Sequence, residues 1–247
     1  MKLTYNNVTI DFFEKNTNKP ILLSVSGGLD SASLFYVMCK HRPDLEIVPF
    51  TCNDLSCPFD VFSAIDVINW IRDEFPKQKI YETEEHKFDH NDPYWLDVAK
   101  EKWESEKISM TNGELVGRTG KLTGLAKAFQ MEEIHKLLWQ KYPGSVMCTG
   151  YTSNPPVEEQ RKYGFYDISE RRRDPPSYKN QWSGKTYHPF CNVDKKFVAD
   201  IFFQNNLMDS LYPLTASCIG SRDDTNNYTQ ECGKCYWCYE KEWAFKK

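Results

Sequence analysis

Two groups of residues in this 247-residue chain have the types and spacing that chemistry requires. The first is Ser24-Val25-Ser26-Gly27-Gly28-Leu29-Asp30-Ser31. Its glycines allow a tight turn and the close approach of a ligand to the backbone. The hydroxyls of Ser26 and Ser31 and the free N–H groups that open the following helix converge on one spot, where the helix dipole favours an anion. That combination suits a phosphate. A Walker A loop would need Gly, four residues, then Gly-Lys-Ser/Thr, and this loop has no lysine. Ser183-Gly184-Lys185-Thr186 imitates the end of a Walker A loop, but Lys179 stands where its first glycine belongs and no apolar strand precedes it.

The second group is Cys232, Cys235 and Cys238, spaced Cys-x-x-Cys-x-x-Cys, with Cys218 fourteen positions before the first of them. Two-residue gaps turn neighbouring thiolates onto one ion, and a distant fourth ligand closes a tetrahedron, as a structural Zn²⁺ site requires. Gly233 gives the knuckle backbone freedom. An iron–sulfur cluster on the same ligands and a redox Cys-x-x-Cys pair are the competing readings. Cys39, Cys52, Cys57, Cys148 and Cys191 lack paired spacing and read as small buried hydrophobes.

The elements that must position these groups alternate. Ile21 to Val25 reads as a buried strand, and Asp30 to Lys40 carries Leu34, Phe35, Val37 and Met38 at helical spacing. Glu46 to Thr51 is a second strand. Val61 to Phe75 repeats apolar residues on one helix face, and Lys79 to Thr83 is a third strand. A helix starts at Asp92-Pro93 and runs to about 107. Another spans Leu122 to Tyr142, followed by a strand over Ser145–Thr149. Leu3 to Phe13 reads as a hairpin turning at Asn6-Asn7, packed at a sheet edge. This order implies an α/β fold with a doubly wound parallel sheet, whose ligands bind beyond the carboxyl ends of the strands. The expected divisions are a nucleotide-binding α/β domain over 1–150, an irregular segment over 151–188, and a C-terminal helical segment with the cysteine site over 189–247. Within 161–185, Arg161, Lys162, Arg171, Arg172, Arg173, Lys179 and Lys185 are interleaved with aromatics, a mixture that suits RNA or a phosphorylated ligand. Glu158, Glu159, Asp167, Glu170 and Asp174 dilute it, so a solvated loop or a contact with a second copy in a homodimer is an equal reading.

Bulk properties narrow the class. No apolar run approaches the ~20 residues of a membrane span, and the first thirteen residues are too polar for a signal peptide. An odd count of nine cysteines points to thiols or metal ligands in a reducing, cytoplasmic setting rather than to a disulfide framework. A net charge of −4 argues against broad nonspecific nucleic-acid binding.

Ser26-Gly27-Gly28-Leu29-Asp30-Ser31 resembles the PP-loop of the N-type ATP pyrophosphatases. Pro189-Phe190, Asp194-Lys195, Thr215-Ala216-Ser217-Cys218 and Cys232-Gly233-Lys234-Cys235-Tyr236-Trp237-Cys238 extend the likeness to the 7-cyano-7-deazaguanine synthases, in order and approximate spacing from residue 20 to residue 240. The resemblance implies ATP cleavage between the α- and β-phosphates and conversion of a 7-carboxy-7-deazapurine to its amide and then its nitrile. It implies ATP, Mg²⁺ and Zn²⁺ as cofactors. No glutaminase region is apparent, so ammonia would come from solution or a partner. The middle departs from the family pattern: Val116-Gly117-Arg118-Thr119 replaces Pro-Gly-Arg-Asn, and no Tyr-Pro-Asp-Cys-Arg segment follows Thr149-Gly150.

On this reading Ser24, Ser26, Gly27, Gly28, Leu29, Asp30 and Ser31 hold the triphosphate, with Asp30 orienting the loop or holding Mg²⁺. Phe50, Thr51 and Cys52 lie against adenine. Lys195 and Arg118 stabilise phosphoryl charge. Cys218, Cys232, Cys235 and Cys238 bind the metal. Alternatives are a PP-loop enzyme acting on RNA or on another carboxylate, and an interaction protein that binds ATP without turnover.

Overall fold

The computed structural model describes residues 1–13, 19–55, 59–106, 121–164, 181–218, 220 and 222–246, without the side chains of 59–62, 105, 106 and 121. Its centre is a six-stranded sheet. The strands, with the initial hairpin, are β1 (Lys2–Tyr5), β2 (Val8–Asp11), β3 (Ile21–Ser24), β4 (Ile47–Asp54), β5 (Glu84–Phe88), β6 (Val146–Cys148), β7 (Trp182–Ser183) and β8 (Thr186–Tyr187). The helices are α1 (Leu29–His41), α2 (Phe59–Glu74), α3 (Pro93–Glu106), α4 (Lys121–Lys141), α5 (Val157–Lys162), α6 (Lys195–Gln204) and α7 (Tyr236–Phe245).

The sheet order is β5-β4-β3-β6-β8-β7, parallel except for the antiparallel β7–β8 pair. From β3 the chain winds outward through β4 to β5, then returns to place β6 on the other side of β3. The order therefore reverses between β3 and β6, and the crevice beyond their carboxyl ends is where such sheets bind ligands. The expected doubly wound α/β architecture is the one observed.

Central strands are apolar on both faces because helices cover both. Ile21, Leu23 and Ile47 face one layer, where they share a core with α1, α2 and α6; Leu22, Val48, Phe50 and Met147 face the other, beneath Ile134 and Leu138 of α4. Helix α3 packs on α4 through Ala99, Leu125 and Ala126. The hairpin β1–β2 forms its own two-stranded sheet. Asn6 and Asn7 turn it with φ of 48° and 57°, the left-handed pair that a two-residue hairpin turn requires. Tyr5 meets Phe197 of α6 edge-on at 5.4 Å, so the hairpin seats on that helix. Beyond β2 the chain reaches the main sheet, where the Tyr187 hydroxyl donates to the Asp11 carbonyl and accepts from the Phe13 N–H, each at 3.1 Å.

Two expectations change. The strand expected at 79–83 lies five residues later, and only Ile80 of the earlier stretch forms a bridge, to Ile47. β5 is an edge strand whose Glu85 and Lys87 are exposed, so it lacks the apolar run that marks its inner neighbours. The segment 151–188 contributes α5 and the last two strands of the sheet. Two-residue strands carry no periodicity to read. Among the described residues, no helix is long and apolar enough to cross a membrane.

Candidate functional site

The Ser26–Ser31 loop leaves β3 at the reversal point and runs into α1. Val25 still donates to the Phe50 carbonyl at 2.8 Å, so the loop is anchored to the sheet until its first residue. Gly27 then adopts φ of 78°, a conformation open to glycine at little cost. Gly28 is the N-cap and carries no side-chain cap, so the amides opening α1 have no intrahelical acceptor. The loop is held internally by hydroxyls: Ser26 N–H donates to Ser31 Oγ at 3.2 Å, and Ser31 Oγ donates to the Gly28 carbonyl at 3.0 Å. Donors and small hydroxyls thus gather at one helix N-terminus, an arrangement that binds phosphate oxygens.

Asp30, in the first turn of α1, points to the first turn of α6. Lys195 Nζ lies 2.6 Å from Asp30 Oδ2 and 3.5 Å from Glu240 Oε2 of α7. The lysine side chain is 3% exposed and that of Glu240 is fully buried. The α6 N-terminus is the positive end of its dipole and a poor place for a cation; two carboxylates there offset that cost. The Asp194 side chain caps α6 by accepting from Lys196 N–H at 2.9 Å, and burial raises its pKa against the pull of that bond. Thr152 Oγ1 donates to Asp30 Oδ2 at 3.4 Å. The first turns of α1 and α6 and the middle of α7 therefore meet at one charged cluster beside the loop.

The strand that closes this side comes equally near. Gly150, just past β6, sits so close to α1 that a Cβ would lie 2.5 Å from the Asp30 carbonyl oxygen and 3.0 Å from Ser31 N. Both neighbours are backbone and cannot rotate away. Gly150→Ala is accordingly expected to destabilise the chain by about 1–3 kcal/mol and to displace the start of α1. A urea midpoint unchanged from wild type would contradict this close approach.

The four cysteines converge. The Sγ atoms of Cys218, Cys232, Cys235 and Cys238 lie within 4.8 Å of one another, with Cys235–Cys238 at 3.5 Å and Cys232–Cys238 at 3.9 Å. A Zn–S bond of about 2.3 Å gives tetrahedral edges of ~3.8 Å, so one ion fits among these sulfurs. A four-iron cluster binds each thiolate through a different iron and spreads the sulfurs by its own size, a poorer match. Gly220 N–H and Cys232 N–H each donate to Cys218 Sγ at 3.2 Å, the backbone support that thiolate ligands use. As a free thiol, Cys218 is pushed up to about 11, first by burial.

Phe50, Thr51 and Cys52 sit at the crevice end of β4, but their side chains turn into the layers. Phe50 is fully buried with its ring edge-on to His135 of α4 at 6.1 Å, and Thr51 is 3% exposed. Burial pushes the Cys52 thiol up to about 12. Arg118 and residues 165–180 of the basic segment lie outside the described residues.

A cluster the sequence did not advertise stands farther along the same edge. His90 Nδ1 lies 2.8 Å from Asp54 Oδ2, and Lys127 of α4 lies 3.7 Å from the same oxygen. Gln130 secures the turn by donating to the Asp89 carbonyl and accepting from its N–H. The sequence reading gave no role to Ser217 and did not single out Glu240. Asp54 ends β4, His90 follows β5 and Lys127 belongs to α4, so no sequence spacing links them.

No protein-family model matches the chain, and no curated protein matches it in sequence. Among solved structures it is similar to the NMN synthetase of Francisella tularensis, at 13% identity and a TM-score of 0.46, over 93% of this chain and 78% of that one. It is similar to the U34-tRNA thiolase NcsA of Methanococcus maripaludis, solved with its [4Fe-4S] cluster, at 12% identity and 0.43, over 78% of this chain and 59% of that one. A glutamine-dependent NAD(+) synthetase from Cytophaga hutchinsonii gives 12% and 0.34, over 79% of this chain and 35% of that one. Likenesses this distant assign no activity, and the chemistry of the chain rests on its own loop, charged cluster and cysteines.

Proposed function

We propose that this chain is an ATP-dependent, AMP-forming ligase of the PP-loop type that activates a carboxylate for attack by ammonia. The observation that carries the reading is the Ser26–Ser31 loop, uncapped at Gly28 and set at the reversal point of the sheet. Its resemblance to the 7-cyano-7-deazaguanine synthases, together with the four-cysteine cluster, makes a 7-carboxy-7-deazapurine or a related acid the acceptor.

Ser24, Ser26, Gly27, Gly28, Leu29 and Ser31 receive the triphosphate. The acceptor carboxylate oxygen attacks the α-phosphorus, the bond to the bridging oxygen breaks, and pyrophosphate departs into the loop. Ammonia then adds to the acyl carbon and gives up a proton, and the bond from that carbon to the former carboxylate oxygen breaks, so that AMP leaves with the oxygen and the bonding pair. Backbone and hydroxyl donors already aimed at the departing charge stabilise it without reorganisation. Asp30 is the residue that would hold Mg²⁺, an ion that takes oxygen ligands and phosphates. Its pairing with Lys195 also fixes the loop. Lys195, which holds Asp30 in place, and Arg118 are the cations proposed to stabilise phosphoryl charge. The backbone at Phe50–Cys52 is the surface offered to adenine. Zn²⁺, held by Cys218, Cys232, Cys235 and Cys238, is structural.

The zinc-loaded chain incubated with Mg·ATP, ammonium and 7-carboxy-7-deazaguanine is expected to form AMP and pyrophosphate with a matching change in product mass. Ser26→Ala with Ser31→Ala is expected to lower that rate at least ~100-fold. ATP binding with no AMP under any of these conditions would show a binding protein and overturn the reading. AMP without a deazapurine product would retain the adenylating half and replace the acceptor.

A further inference from the structure

The segment that delivers the first cysteine to the metal cluster also lies against the phosphate loop. Ala216 N–H donates to the Gly27 carbonyl at 2.9 Å, and Leu29 N–H donates to Ser217 Oγ at 3.3 Å. The two backbones are close: a Cβ built on Gly28 would stand 3.4 Å from both the Ala216 carbonyl oxygen and Ser217 Oγ. Ser217 Oγ therefore stands beside Ser26 Oγ at the same helix N-terminus, and it comes from the opposite end of the chain.

The lengths of the bonds at that helix N-terminus carry the next step. Leu29 N–H to Ser217 Oγ is 3.3 Å, Ser26 N–H to Ser31 Oγ is 3.2 Å and Gly28 N–H to Ser26 Oγ is 3.5 Å. All are at or beyond the long end for N–H···O, and all end on neutral hydroxyl oxygens. A charged phosphate oxygen is a shorter and stronger acceptor for the same amides. Ser217 Oγ thus occupies the place at Leu29 N–H that an anion would take, and its own hydroxyl proton is then available to that anion.

The metal cluster fixes Ser217 from both sides. Cys218 follows it directly. The Ser217 backbone N–H donates to Glu231 Oε1 at 2.7 Å, Glu231 directly precedes Cys232, and Lys241 holds the same carboxylate at 3.0 Å. An ion that ties Cys218 to Cys232 therefore holds Ser217 at the loop.

We infer that Ser217 is a phosphate-binding residue presented by the metal centre, and that metal and nucleotide bind this chain cooperatively. This rests on the Ser26–Ser31 loop being a triphosphate site. Linkage makes the coupling reciprocal: if the ion improves nucleotide affinity, the nucleotide retains the ion by the same factor.

The test uses the full zinc-loaded chain and the α,β-methylene analogue of ATP with excess Mg²⁺, which cannot be cleaved at the reacting bond. The rate of Zn²⁺ loss to a chromogenic chelator is measured with and without the analogue. Its dissociation constant is measured on zinc-loaded and zinc-free protein. Saturating analogue is expected to retain Zn²⁺ about tenfold more strongly, and removing Zn²⁺ is expected to weaken the analogue by a like factor. Ser217→Ala should weaken the analogue severalfold and lose the protection, and Ser217→Thr, which keeps the hydroxyl, should restore both. Should Ser217→Ala fold poorly, the wild-type pair of measurements decides alone. Analogue binding with Zn²⁺ loss unchanged, or equal affinity with and without Zn²⁺, overturns the inference while leaving the triphosphate site standing. Failure of the analogue to bind the zinc-loaded chain overturns that site and the inference together.

Discussion

Lys195→Ala is expected to cost about 3–5 kcal/mol of folding stability, the usual penalty for removing one partner of a buried ion pair. The side chain is 3% exposed, and it stands between Asp30 and Glu240, the latter fully buried. Without the ammonium, two carboxylates share a site poor in water and lose the cation that stands between them. One must take up a proton or the helix ends must part. Because Asp30 lies inside the loop, the same substitution should weaken nucleotide binding before the chain unfolds. Urea unfolding checks the first effect and titration of the ATP analogue checks the second. Replacing Lys195 by Met together with Glu240 by Gln should recover part of the stability, since it removes the uncompensated charge as well as the cation. A loss below about 1 kcal/mol for Lys195→Ala would show that the three groups are not coupled in solution.

Stripping the metal is expected to have the second large effect. In small zinc domains the ion supplies on the order of 10 kcal/mol of folding energy. Here the cysteines close only the C-terminal segment, so a fraction of that is at stake. At about 2–4 °C per kcal/mol for a chain this size, chelation or Cys238→Ser should lower Tm by ~10 °C or more. Cys238 lies in the first turns of α7, which packs on α6 through Ala199, Trp243 and Ala244. Loss of the ion should therefore loosen α7 first, seen as faster hydrogen exchange over 236–245 than over α1. An unchanged Tm after complete metal removal would mean that the cluster is held without it.

What the sequence makes legible here follows burial. Ile21–Ser24 and Leu29–His41 lie in the middle of the core and are buried almost throughout, so their type and approximate limits can be read directly. Asn6-Asn7 announces its turn by residue chemistry alone. β5 is hidden because its outward residues are charged, and β8 because two residues have no pattern. The site divides in the same way. The loop and the cysteines are local motifs, and spacing reveals them. Glu240 and Ser217 acquire their meaning only from neighbours on distant elements: Glu240 from the ammonium it faces and Ser217 from the amide of Leu29. Asp54, His90 and Lys127 are brought together by three separate elements. The side chains of Phe50 and Thr51 show the converse limit. Position at a strand end places a backbone at the crevice but does not decide which layer a side chain enters.

The two borders of the main sheet have a further consequence. On one side β5 turns Glu85 and Lys87 outward, and Lys141 and Tyr142 hold Glu84 at 2.7 and 2.6 Å. On the other, among the described residues, β7 is two residues long and runs against its neighbour. A border of like-spaced charges and a border too short to template a strand both discourage the addition of a foreign chain. The sheet that holds the loop is thereby guarded against edge-to-edge polymerisation, and crowding many copies of this protein together should not turn its parallel core into a seed for fibres.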